Sequence, residues 1–118
     1  MGRKADRPLL AGRERDKAMK MYILVRESLP IGQALVAVAH ASLACYLRFR
    51  DSPDVEQWLS GPFRKVICKV SDAELERAKG FPDHVVLTES QLGGAEVALA
   101  FKPRETWDRS FQFLRLYR

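Results

Sequence analysis

The sequence predicts an α/β protein, a three-layer α/β/α domain on a mixed sheet of about four strands. Three observations carry that prediction. Short apolar runs rich in β-formers alternate with helical segments along most of the chain, which is the order of a layered α/β domain. Met21-Tyr-Ile-Leu-Val25 is a continuous apolar run bounded by charges, as expected of a strand covered on both faces. The run from Ala34 to Cys45 leaves almost no polar face, so the helix that follows the strand reads as central rather than as a surface helix.

Taken in order, the first strand covers 21–26 and is broken by Leu29-Pro-Ile-Gly32. The helix then begins near Gln33. Its five alanines, Ala34, Ala37, Ala39, Ala41 and Ala44, allow close approach to a sheet or a second subunit. Arg48 and Arg50 mark its last turn, where cations suit the negative end of the helix dipole. Ser52-Pro53-Asp54 combines an N-cap, a proline at the first helical position and an acid, so a short helix runs to about Leu59 before Gly61-Pro62. Arg64 to Val70 is the second strand. Ser71-Asp-Ala-Glu74 is a capping box opening a helix to about Lys79. The third strand covers His84 to Leu87, the loop Thr88 to Ala95 contains Gly93-Gly94, and the fourth strand covers Glu96 to Phe101. Pro103 sits where a further helix can begin. Trp107, Phe111 and Leu114 fall at helical spacing, yet the alternation in Phe111-Gln-Phe113 and Leu114-Arg-Leu116 allows a short helix and then an extended tail. We prefer the second.

With 118 residues, 47% of them apolar, a single domain is the expectation. The formal net charge of +5 is uneven: the first 20 residues hold seven Lys or Arg against three acids, which is +4, and the remainder is +1. Residues 1–19 therefore read as a basic, solvated extension and 20–118 as the folded domain. Outside the tail, basic residues are offset by nearly as many acids. Pro8-Leu-Leu-Ala11 is too short for a signal peptide. The apolar run Ala34 to Leu47 is about 14 residues, short of the roughly 20 that span a bilayer. Cys45 and Cys68 lie in different elements with no CxxC. They read as buried free thiols of a cytoplasmic protein that uses no metal and no cofactor.

An ordered series of motifs now stands out: Arg26-x-x-Leu29-x-x-Gly32 after a strand, Ala39-His40-Ala41 in an alanine-rich helix, Trp58 and Gly61, Lys65-Val66-x-x-Lys69-Val70 before an acidic helix, and Val97-Ala-Leu-Ala-Phe101 followed by Pro103. This series, from about Lys20 to Phe113, resembles the type 2 peptidyl-tRNA hydrolase family. The resemblance implies an α/β/α fold, often dimeric, and hydrolysis of the ester joining a nascent peptide to the terminal ribose of tRNA. The expected partners are therefore tRNA or other RNA and a second copy of the chain, with no membrane.

The site implied by the resemblance is altered in this chain. Where the family's first turn reads roughly Gly-Lys-Gly-Lys, this sequence has Pro30, Ile31, Gly32 and Gln33. The family's second segment reads roughly Asp-Ala-Gly-x-Thr-Gln, and its counterpart here is Thr88-Glu89-Ser90-Gln91-Leu92. Candidate catalytic residues are thus Gln33, His40, Glu89 and Ser90, with Glu89 as the carboxylate and Ser90 as the hydroxyl. Candidate nucleic-acid contacts are Arg26, Arg64, Lys65 and Lys102. Ester hydrolysis needs an activated water and fixed donors or positive charge at the oxyanion. Gln33 donates a neutral hydrogen bond but supplies no ammonium charge. The alternative is a catalytically silent domain of the same fold that binds RNA, a nucleotide or a protein. His40 reads either as a base near the turn or as a half-buried helix histidine bonded to a backbone carbonyl. His84, Trp58 and Trp107 read as surface, core and core residues respectively.

Overall fold

The computed structural model describes residues 18–118. The expected basic extension, apart from its last two residues, lies outside the described residues. The chain forms β1 (Lys20–Arg26), α1 (Ile31–Phe49), α2 (Pro53–Ser60), β2 (Arg64–Val70), α3 (Asp72–Ala78), β3 (His84–Glu89), β4 (Ala95–Phe101) and β5 (Arg115–Leu116), with 3₁₀ turns at Ser90–Leu92 and Arg109–Phe113. The sheet is mixed, in the order β3-β4-β1-β2-β5. β1 and β2 are parallel, while β4, β3 and β5 are antiparallel to their neighbours. Four strands were expected; the fifth is a two-residue strand that closes the tail onto β2. Its alternation, Leu114-Arg-Leu116, supports a short helix followed by an extended tail.

Local chemistry explains most boundaries. Ser52 Oγ accepts from the Asp54 backbone N–H at 3.2 Å and caps α2 behind Pro53. At α3 the capping box is complete, with Glu74 N–H donating to Ser71 Oγ at 3.1 Å and Ser71 N–H donating to Glu74 Oε1 at 2.8 Å. Gly93 and Gly94 turn the chain into β4 with φ of 68° and 80°, where a side chain would be strained. Pro103 does not begin a helix. Arg104 instead bridges Lys20 of β1 in both directions at 3.2 Å, which holds the chain extended until the 3₁₀ turn.

The sheet divides the core into two clusters. One face packs Met21, Ile23, Val25, Ala98 and Ala100 against Ala34, Ala37, Ala41 and Cys45 of α1 and Val55 and Trp58 of α2. The other packs Tyr22, Leu24, Cys68, Leu99 and Phe101 against Leu75 and Ala78 of α3 and against Phe111. These are the three layers. Trp58 and Trp107 are packing residues, each closing its indole N–H on a backbone carbonyl, of Arg64 at 2.8 Å and of Arg104 at 3.0 Å.

α1 differs from the expectation of a wholly buried helix. Only Ala34, Ala37, Ala41 and Cys45 are buried, whereas Leu35, Leu43 and Leu47 are 64%, 59% and 51% exposed. An outer-layer helix meets the sheet along one stripe, and the small residues occupy that stripe because they let the backbones come close. The helix is also longer than the 14-residue run suggested. At 19 residues it is long and apolar enough to cross a membrane, a test that core helices of α/β domains also pass, and here its alanine stripe is seated on the sheet.

Candidate functional site

β1 ends at Arg26, and the turn Glu27–Pro30 delivers the chain into α1. The register brings other segments to this same end. Val25 pairs with Ala98, so Glu96 and Ala95 lie beyond Arg26 on β4, and Ala95 pairs with Glu89 at the end of β3. Because β1 and β2 run parallel with Arg26 opposite Val70, Ser71 and the start of α3 also fall here. This end is the carboxyl end of the two parallel strands, where open α/β sheets usually carry their sites.

Arg26 ties these segments together. Its Nε donates to Asp72 Oδ1 at 3.0 Å and its Nη1 to the Glu96 carbonyl at 3.3 Å. Beside it, Lys79 Nζ donates to Glu96 Oε1 at 2.6 Å and to Glu76 Oε2 at 3.1 Å. Those bonds, the one to Glu96 foremost, raise the lysine's pKa. Both cations are thus engaged by the fold.

Gln33 lies in the first turn of α1, partly buried, with its Oε1 enclosed and without a hydrogen-bond donor. An enclosed acceptor left unpaired costs about 1–3 kcal/mol. Glu89 ends β3 and accepts from the Gln91 backbone N–H at 3.2 Å, which orients its carboxylate over the 3₁₀ turn; Ser90 follows and is exposed. Gln33, Glu89, Ser90 and Arg26 therefore share one sheet end.

His40 stands apart. It lies seven residues along α1 from Gln33, about 10 Å by helical rise, and is exposed rather than half-buried. The histidine that meets a backbone carbonyl is instead His84, whose Nδ1 lies 2.8 Å from the Phe81 carbonyl and whose ring packs 5.2 Å from Phe101. His84 is thus a structural residue and not an ordinary surface one. The remaining predicted RNA contacts are at the opposite end of the sheet. Arg64 and Lys65 begin β2, about 20 Å from its far end by strand rise, and Lys65 Nζ lies over the Phe63 ring at 4.7 Å. Lys102 follows β4 and donates to Asp54 Oδ2 at 2.8 Å. Neither lysine reaches the sheet end that carries Gln33.

The two thiols are remote from this chemistry. Burial pushes Cys45 up to about 12 and Cys68 up to about 11, so both are neutral packing groups. A groove of about 210 Å³ lies on the aromatic face, between α3 and the second 3₁₀ turn, lined by Arg77, Phe81, Ser110 and Phe113 among others. None of the predicted catalytic residues lines it.

The arrangement is an α/β domain with a polar cluster at the carboxyl ends of its parallel strands. The family model described as Peptidyl-tRNA hydrolase PTH2 matches residues 19–108, and the chain belongs to that family. A peptidyl-tRNA hydrolase of Methanopyrus kandleri is 36% identical over 88 residues, covering 63% of this chain and 76% of the relative.

Proposed function

We propose that the protein hydrolyses the ester between a peptide and the terminal ribose of tRNA, through a modified site at the carboxyl ends of β1 and β2. The supporting observation is that the turn carrying Gln33 and the segment carrying Glu89 and Ser90 meet at one sheet end in a member of this family. Glu89 takes the proton from the attacking water and returns it to the ribose oxygen as the tetrahedral intermediate collapses and the ester C–O bond breaks. The Gln33 amide donates to the oxyanion of the tetrahedral intermediate, and Ser90 hydrogen-bonds the ribose. His40 lies at the periphery and contributes least.

A neutral amide in place of an ammonium leaves the oxyanion less stabilised, so turnover is slow. One such donor is worth roughly 100- to 1000-fold in rate. Release of peptide from diacetyl-lysyl-tRNA by purified protein tests the reading. Slow release is expected, lost in Glu89→Gln and raised on the order of 100-fold in Gln33→Lys. No release at micromolar protein with tRNA still bound would replace this reading with the silent RNA-binding domain.

The working form is a cytoplasmic homodimer that does not engage membranes. Supporting the dimer is the outward face of α1, where Leu35, Val36, Leu43 and Leu47 are exposed and no charged residue lies between Ile31 and Leu47. Exposed apolar faces of this extent mark contact surfaces.

A further inference from the structure

The two edges of the sheet are finished differently. β5, at one edge, is two residues long and carries Arg115, the kind of short, charged strand that discourages further pairing. β3, at the other, runs six residues, His84-Val-Val-Leu-Thr-Glu89, with no lysine, arginine or proline and no fully buried residue. Among the described residues no strand pairs with its outer side. β3 thus offers an open row of main-chain donors and acceptors.

The hydrogen bonds at its two ends establish which residues face outward. The Lys102 N–H donates to the Asp83 carbonyl at 2.8 Å and the Gly94 N–H to the Glu89 carbonyl at 2.9 Å, so both carbonyls turn toward the β4 side. The irregularity in the ladder lies between the Leu87–Ala98 and Thr88–Glu96 pairs, which makes Val97 of β4 the extra residue and leaves β3 itself regular. Alternation along β3 then points the N–H and C=O groups of His84, Val86 and Thr88 to the open edge. The strand also runs toward the candidate ester site, ending at Glu89 with Ser90 next. A peptide esterified there through its carboxyl carbon, lying along this edge, has its carboxyl end where β3 has its own, so the pairing is parallel. Strands rise about 3.3 Å per residue, and about six residues preceding the ester therefore lie beside His84–Glu89.

We propose that the outer edge of β3 receives the peptide part of peptidyl-tRNA as an added parallel strand, which seats the ester at Glu89 and Ser90. This rests on the ester hydrolase reading above. A peptide is favoured as the occupant because strand addition is bonded through the main chain, and a nascent peptide presents its main chain whatever its sequence.

The test is KM measured with the full chain against peptide length, from diacetyl-lysyl-tRNA to longer acetylated peptidyl-tRNAs. KM is expected to fall by roughly 2- to 10-fold for each main-chain bond added and to level off at about six residues. N-methylation of alternate peptide nitrogens is expected to raise KM again in one phase of the alternation and not in the other, because only every second residue faces β3. Val86→Pro removes an outward N–H from an edge strand, where proline is tolerated, and is expected to flatten the length dependence. KM independent of length, or equally sensitive to methylation in both phases, would overturn the β3 edge while leaving the ester hydrolase reading in place. Absence of release from every substrate would overturn both. Amide exchange at His84, Val86 and Thr88 that slows with protein concentration, without substrate, would give the edge to a second copy of the chain and overturn the peptide assignment.

Discussion

The two faces of the sheet are built from opposite materials. Where α1 meets the sheet the contact is made by small residues, with Ala34, Ala37, Ala41 and Cys45 on the helix and Ala98 and Ala100 on β4, while Trp58 fills the same face from α2. On the far side it is aromatic: Tyr22, Phe101, Trp107 and Phe111 meet edge to face or, between Trp107 and Phe111, tilted, with centroids 4.6 to 6.1 Å apart. Small residues let a long helix lie close to the sheet along its whole length. Large rings let a seven-residue helix and a single 3₁₀ turn close the other face. The alanine face gains by proximity, the aromatic face by volume.

Substitutions that reverse the two materials break the contrast. The largest effect is expected from Phe101→Ala, which removes a fully buried ring from the centre of the aromatic cluster. It should cost about 3–5 kcal/mol in urea unfolding. A smaller loss is expected from Ala41→Leu, which forces extra volume beneath a helix seated on its alanine stripe. About 1–3 kcal/mol is expected, read by the same titration. If Ala41→Leu were neutral, close approach would not be what the alanines provide. The smallest effect on folding belongs to Leu43→Lys on the outward face of α1, within about 0.5 kcal/mol for the monomer. The same change should abolish the proposed dimer, measured by sedimentation; an unchanged dimer would place the contact elsewhere.

Much of the fold was legible along the chain. β2 falls on Arg64–Val70 as expected, and the caps at Ser52 and Ser71 form the bonds that their spacing implies. Of the candidate site, Gln33 and the Glu89–Ser90 segment were visible through the resemblance, and their common sheet end follows from β1, β4 and β3 pairing. His40 and His84 were read the wrong way round. Both sit among mixed apolar neighbours in sequence, and only packing decides which of them finds a carbonyl. The pairing of Lys69 with Arg115 was not legible, because the two are far apart in the chain and meet only through strand pairing.

Strand and helix identities, capping, and the glycine turn depend on residues a few positions apart, so the sequence by itself determined them. The outward face of α1, the strand order β3-β4-β1-β2-β5 and the pairing of Lys69 with Arg115 were decided by the tertiary structure alone. Each depends on which surfaces meet. Pairings across long stretches of chain are set by the summed burial of both sheet faces, and no local pattern carries that sum.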